Sequence, residues 1–373
     1  LTNTFENLAI EGVGANFDNG IYSYNSQSNL ILRSSVITGT GGNPVLVEQH
    51  SGPLDIDGNQ ITPASSASGS SIFVMTYGNV NVTTTQRVRN NTITIRGVTF
   101  NGAFSNLAGT GTFTDVRVTD NVITGVVLGS GVSLTNGDTN AGGPEGLISD
   151  AQIQGNTLTG TGVAGTRGIS HTGNVTGTRV SANDITNFEY GLNAAVNTGG
   201  GPSGTEAEGN RFVGNTLAGL NNGTTNALLA ENNWWGCNTG PGTAGCDAAT
   251  GAALDTNPWL VLSATVAPDT LPVGTTATAT ASIRTNSDDD LYGDRLFAGH
   301  SIGFSTDRGT IAPASVPLTN PDGSASSTLS GGNVPGTGTV SATLDSATAT
   351  APFRVVGNAP PPPPPPPPPS PPC

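Results

Sequence analysis

Lysine is absent from this 373-residue chain; all twelve basic residues are arginine. Twenty-six acidic residues outnumber them and give a formal charge of −14. A surface of that sign repels phosphate backbones, which argues against nucleic acid as a partner. Without lysine, a lysine base is also excluded from any chemistry these residues perform. Aromatic residues make up only 5% of the chain and methionine occurs once. No apolar run reaches the ~18 residues a spanning helix needs, so no membrane span is expected. His50, His171 and His300 are scattered, and a structural zinc site would need two more ligands than the one close cysteine pair supplies. That pair, Cys237 and Cys246, sits in a low-charge chain rich in Gly, Asn and Thr, which favours an oxidising, extracytoplasmic setting. The chain starts at Leu1 with no visible secretory signal, which we read as processing or a fragment, and we expect an exported protein.

What is abundant is glycine, with 53 residues, and a recurring phrase. It reads SSVITG at 34–39, GNQIT at 58–62, NNTIT at 90–94, DNVITG at 120–125, GNTLTG at 155–160, ANDITN at 182–187, GNRFVG at 209–214 and NNWWG at 232–236. Aligned, it sets Asn59, Asn91, Asn121, Asn156, Asn183, Asn210 and Asn233 in one column, with Ser35 in the first register, at intervals of 23 to 35 residues. A second phrase, Gly followed by an aliphatic residue, lies between the asparagines, as in GVSLT, GISHT and GLNAA. Each unit holds short β-branched runs between turn residues and has no room for a helix. Such a unit cannot bury an apolar face alone, but it can when stacked on copies of itself. Aligned asparagines can then hydrogen-bond along a ladder, as amide stacks do in other in-register strand assemblies.

These phrases resemble the right-handed parallel β-helix superfamily, with its pectate-lyase-like and NosD-like repeats, over residues 1–262. The resemblance implies an all-β, single-stranded solenoid; it implies little about function, because that fold hosts lyases, hydrolases, adhesins and inert stalks. From 263 to 356 the period gives way to alternating strands with turn signals, the spacing of a β-sandwich. Asn286-Ser287, Gly299 to Phe304 and Gly338 to Thr343 resemble bacterial Ig-like modules of the invasin and intimin type, which implies display at a cell surface. Residues 357–373 form a proline-rich linker with ten consecutive prolines, Pro360–Pro369, expected as a polyproline II spacer ending at Cys373.

The candidate site comes from the strand before each asparagine. Four positions before it stand Asp55, Arg87, Arg117, Gln152, Arg179 and Glu206; two before it stand Arg33, Asp57, Arg89, Thr119, Gln154, Ser181, Glu208 and Glu231. Both columns should face outward on one sheet, giving an arginine-bearing strip of Arg33, Arg87, Arg89, Arg117 and Arg179. Guanidinium forks suit uronate carboxylates, so an acidic polysaccharide or cell-envelope glycan is the candidate partner. Alternatively the same arginines pair with Asp55, Asp57 and Glu206 on adjacent strands as ordinary solvated ion pairs. Tyr190, on a turn, is a candidate for stacking on a sugar ring. His171 aligns with Leu134 and Ala194 and reads as a core residue. No cofactor is expected; the one metal candidate is calcium at Asp288, Asp290 and Asp294 in the acidic stretch SDDDLYGD.

The stretch from Glu231 to Asp247 holds two of three tryptophans and two of three cysteines. A solenoid's last coil exposes strand edges and an open apolar core. Trp234, Trp235, a Cys237–Cys246 loop and Trp259 are expected to close that end, within 231–262. The functional expectation is an extracellular, cell-surface adhesin or display module without catalytic activity that contacts glycans. The alternatives are a lyase or hydrolase of an acidic polysaccharide, and a structural stalk or filament subunit that self-associates.

Overall fold

The computed structural model describes residues 1–12, 18–67, 69–102, 111–136, 146–197, 200–318 and 323–357. The ten-proline run and Cys373 lie outside them. Within the described residues the chain is all-β and contains no helix. Its first part is a parallel β-solenoid of about eight turns.

Each turn lays one short strand on each of three parallel sheets. In the fifth turn these are Val116–Thr119, Val122–Val126 and Ser130–Asn136. Stacking the turns builds sheets of ten, eight and nine strands, with a further four-stranded sheet in the middle turns. Alternation along each strand sends one set of side chains inward: Val116 and Val118 are fully buried while Arg117 and Thr119 face out. One continuous core of aliphatic residues results, with Phe100, Phe113, Phe188 and Phe212 filling it.

The bend between the first and second sheets explains the repeated phrase. The residue just before the asparagine column is left-handed in every turn, at Ser34, Gly58, Asn90, Asp120, Gly155, Ala182, Gly209 and Asn232. That conformation favours Gly, Asn and Asp, which fill six of the eight positions. The next side chain turns inward and bonds along the stack. Asn121 is representative: its backbone N–H and Nδ2 donate to Asn156 Oδ1 at 3.0 and 2.9 Å, and Nδ2 also donates to the Val88 carbonyl at 2.9 Å. The same set recurs from Asn59 to Asn210, and Asn233 ends the series by donating to the carbonyls of Ala207 and Ala230. A buried column of amides thus satisfies itself and the bends' backbone groups, which would otherwise be costly to bury.

Beyond the solenoid, two sheets of four and five strands, almost entirely antiparallel, enclose a second core. The adjacent tryptophans divide between the two cores. Trp235 stacks on Phe212 with ring centroids 5.1 Å apart and closes the solenoid. Trp234, expected with it in the cap, instead belongs to the second core, and its Nε1 donates to Asp345 Oδ2 at 2.7 Å. Successive strand residues point to opposite sides, so one dipeptide cannot serve one core. Cys237 and Cys246 are disulfide-bonded. Trp259 lies over Gly240 and donates to the Asn238 carbonyl at 3.0 Å.

Candidate functional site

The first sheet's outward columns are in the register that places Arg87 between Asp55 and Arg117, Asp57 between Arg33 and Arg89, and Arg179 between Gln152 and Glu206. The side chains then bond diagonally as well as across. Arg89 reaches both Asp55 at 2.9 Å and Asp57 at 3.1 Å. Arg33 pairs with Glu6 at 2.7 Å and Arg117 with Asp115 at 2.8 Å. Arg179 is held by Glu208 at 3.3 Å and by Asp294 at 2.8 Å. Four of the five strip arginines therefore already hold carboxylates, leaving Arg87 without an ion pair among the described residues. These pairs are solvent-exposed, and each contributes well under about 1 kcal/mol. A shallow depression of about 300 Å³ remains between Arg87, Arg89, Arg117 and Gln152.

The Asp294 carboxylate on Arg179 comes from the second module, which folds back along the solenoid. Arg295 pairs with Asp120 at 2.6 Å, and the Phe297 N–H donates to the Gly209 carbonyl at 3.2 Å. Behind this contact lies a buried ionic cluster. Arg211 bonds Asp184 at 2.6 Å and also Asp345, while His300 Nε2 meets the other Asp184 oxygen at 2.7 Å. Burial pushes the Asp184 carboxyl up, but His300 and Arg211 outweigh it and hold the group below its ordinary value.

The calcium candidate does not assemble. Asp294 is committed to Arg179, and the Asp288 and Asp290 N–H groups donate to Asn286 Oδ1, closing a local turn. Among the described residues no group of three metal-ligating side chains gathers. The acidic stretch, with Glu231 and Asn286, borders an open hollow of about 500 Å³ at the joint between the modules. Tyr190 opens the third-sheet strand Tyr190–Ala195, paired with Arg167 and Ala218, and so stands apart from the arginine strip. His171 is fully buried between Leu134 and Ala194, and burial lowers its pKa to about 4.

The outward face of the third sheet has a different character. One register column runs Phe73, Thr99, Ser133, Ser170, Asn193, Asn221 and Thr250, one residue per turn. Asn221 Nδ2 donates to Asn193 Oδ1 at 2.9 Å, and Thr250 donates to Asn221 Oδ1 at the same distance. At the Phe73 end the face sinks into a hollow of about 370 Å³ walled by Asn43, Ser70, Phe73, Arg96, Thr99 and Ser133. Sequence reasoning from the asparagine phrase missed this hollow. Arg96 and Arg167 both stand directly before the glycine of the second phrase, in RGV and RGI, but that spacing alone does not mark a hollow.

No family model and no curated protein matches the chain. Among solved structures it is similar to the Dettilon tailspike protein, at 12% identity over 93% of this chain and 76% of that one, with a TM-score of 0.37. It is also similar to the D0–D1 domain of intimin, at 19% identity over 26% of this chain and 48% of that one, with a TM-score of 0.21. The chain thus spans about half the length of the intimin fragment it matches.

Proposed function

We propose that this chain is an exported, surface-displayed β-solenoid that binds a glycan without cleaving it. Residues 263–356 then act as an Ig-like spacer and the proline run as a stalk. The observation that carries this reading is the third-sheet column from Thr99 to Thr250, which places a hydroxyl or amide in each successive turn, accessible at Thr99, Ser133, Asn221 and Thr250 and buried at Ser170 and Asn193. Turns stack about 4.8 Å apart, so the column is a regular, uncharged row of donors and acceptors along the solenoid axis. Such a row matches the repeating hydroxyls of a saccharide chain. It contains no ionisable group that could transfer a proton, which favours holding a glycan over breaking it.

The first-sheet arginines support the same direction. Carboxylate partners leave Arg33, Arg89, Arg117 and Arg179 poorly placed to neutralise an incoming uronate. The test is retention of acidic and neutral polysaccharides by the purified chain, with the eluate assayed for new reducing ends and for unsaturated products. Retention of the intact polymer is expected. Turnover of any polysaccharide overturns the non-catalytic reading, and a chain that retains none leaves the structural-stalk alternative in its place.

A further inference from the structure

Arg96 is set apart from the other arginines of the solenoid. It precedes Gly97 at the start of the third-sheet strand Val98–Asn101 and is only 8% exposed. Its Nε donates to the Ala67 carbonyl at 3.1 Å, and Nη2 donates to the same oxygen. Nη1 is buried and has no hydrogen-bond partner among the described residues. Arg33, Arg89, Arg117, Arg179 and Arg211 each hold a carboxylate, yet Arg96, more buried than the first four, holds none among the described residues. An arginine does not escape such a position by losing its proton. A buried charge without a counter-charge is destabilising, so its retention calls for a compensating group.

The surroundings indicate what that group belongs to. Arg96 forms part of the wall of the 370 Å³ hollow at the Phe73 end of the hydroxyl and amide column. Asn43, Ser70, Thr99 and Ser133 line it with short polar side chains, while Phe73 and the exposed Leu128 offer apolar surface at the same place. Polar groups interleaved with one aromatic face suit a sugar ring, with its hydroxyl edge and its C–H face. A carboxylate on that ring would bring to Arg96 the counter-charge it lacks across the wall of the hollow.

The protein's overall charge narrows the ligand further. At −14, it repels a dense polyanion as a whole, and only one uncompensated guanidinium lines this hollow. We infer that the hollow around Phe73 and Arg96 binds a carboxylate-bearing sugar set in an otherwise neutral saccharide chain. The inference rests on the glycan-binding reading and deepens it by naming the place and the ligand chemistry.

The experiment is calorimetric titration of the full chain with a neutral oligosaccharide carrying one uronic acid, and with the same oligosaccharide after reduction of its carboxyl to an alcohol. The wild-type chain should bind the acid form at least about tenfold more tightly, the scale of one charge-assisted bond. Arg96→Gln should abolish that preference without lowering the melting temperature of the ligand-free protein, because it removes an uncompensated charge. An arginine with a purely structural role would lower that temperature. Thr99→Ala should weaken both forms alike, and Arg117→Gln should change neither. Should Arg96→Gln fail to fold, Arg96→Lys keeps the charge, and the preference should persist in it.

Equal binding of the two forms by the wild-type chain overturns this site and leaves glycan binding standing. A preference that survives Arg96→Gln does the same. Cleavage of the oligosaccharide with the Arg96-dependent preference intact overturns the non-catalytic reading and leaves the site standing. Failure to bind either form overturns both.

Discussion

The imidazole at position 171 occupies a place that its neighbours in the column give to Leu134 and Ala194. It is fully buried, and both ring nitrogens lack partners. Burial lowers its pKa from 6.5 to about 4, so the folded chain keeps it neutral where an unfolded chain would protonate it. Above pH 6.5 neither state binds that proton and the group adds no pH dependence. As pH falls from 6.5 towards 4, only the unfolded state gains it, and folding stability declines. His171→Leu should remove that decline, worth on the order of 3 kcal/mol, and raise stability at neutral pH by about 1–3 kcal/mol as two unsatisfied nitrogens disappear. Urea unfolding at a series of pH values reads both effects. The inward position of His171 is legible in the sequence because the GISHT phrase aligns with GVSLT and GLNAA. Arg96 was not, because its significance lies in a missing partner, and no residue pattern records a missing contact.

Among the elements, the bend between the first and second sheets carries most of the fold's specificity. It combines a left-handed residue with an inward amide whose Oδ1 accepts twice from the previous turn and whose Nδ2 donates to the next. Asn121→Ala would strand the buried Asn91 N–H and take one donor from the Val88 carbonyl, while Asn91 Nδ2 keeps the Ile56 and Arg89 carbonyls. The expected loss is about 1–3 kcal/mol, the cost of one stranded buried group. Ser35→Ala, at the beginning of the column, where the hydroxyl accepts only from the half-buried Leu8 N–H, should cost under half as much, and chemical denaturation compares the two. A similar penalty at both positions would mean that the column does not act as a connected series. The solenoid was legible because each turn must solve this same bend, and the solution uses a narrow residue set. The third-sheet hollow was not, since Asn43, Phe73, Arg96 and Ser133 come from four different turns that vary in length and wording.

For the whole molecule, the informative contact is the one that folds the second module back onto the first. Arg295 meets Asp120, Asp294 meets Arg179, and the cluster of Arg211, Asp184, His300 and Asp345 sits buried behind them. A periodic reading of the chain cannot foresee this, because the partners are more than a hundred residues apart and belong to no repeat. Asp345→Ala takes one of two carboxylates from Arg211 and the acceptor from Trp234 Nε1. Breaking a buried pair on one side typically costs about 3–5 kcal/mol. Calorimetry should then resolve two melting transitions where the parent chain shows one, and small-angle scattering should report a larger maximum dimension. A variant that keeps a single transition and the parent dimension would mean that the cluster does not couple the modules.

The placement of Trp234 and Trp235 in separate cores has a mechanical consequence. They are covalent neighbours, so tension applied to the C-terminal module reaches the last solenoid turn through the peptide unit that joins them, beside the ionic contacts between the modules, rather than through a slack linker. Residues 233–235 would be the shackle between two rigid links. Load applied through the second module would then pass into the solenoid instead of being spent as extension at the joint.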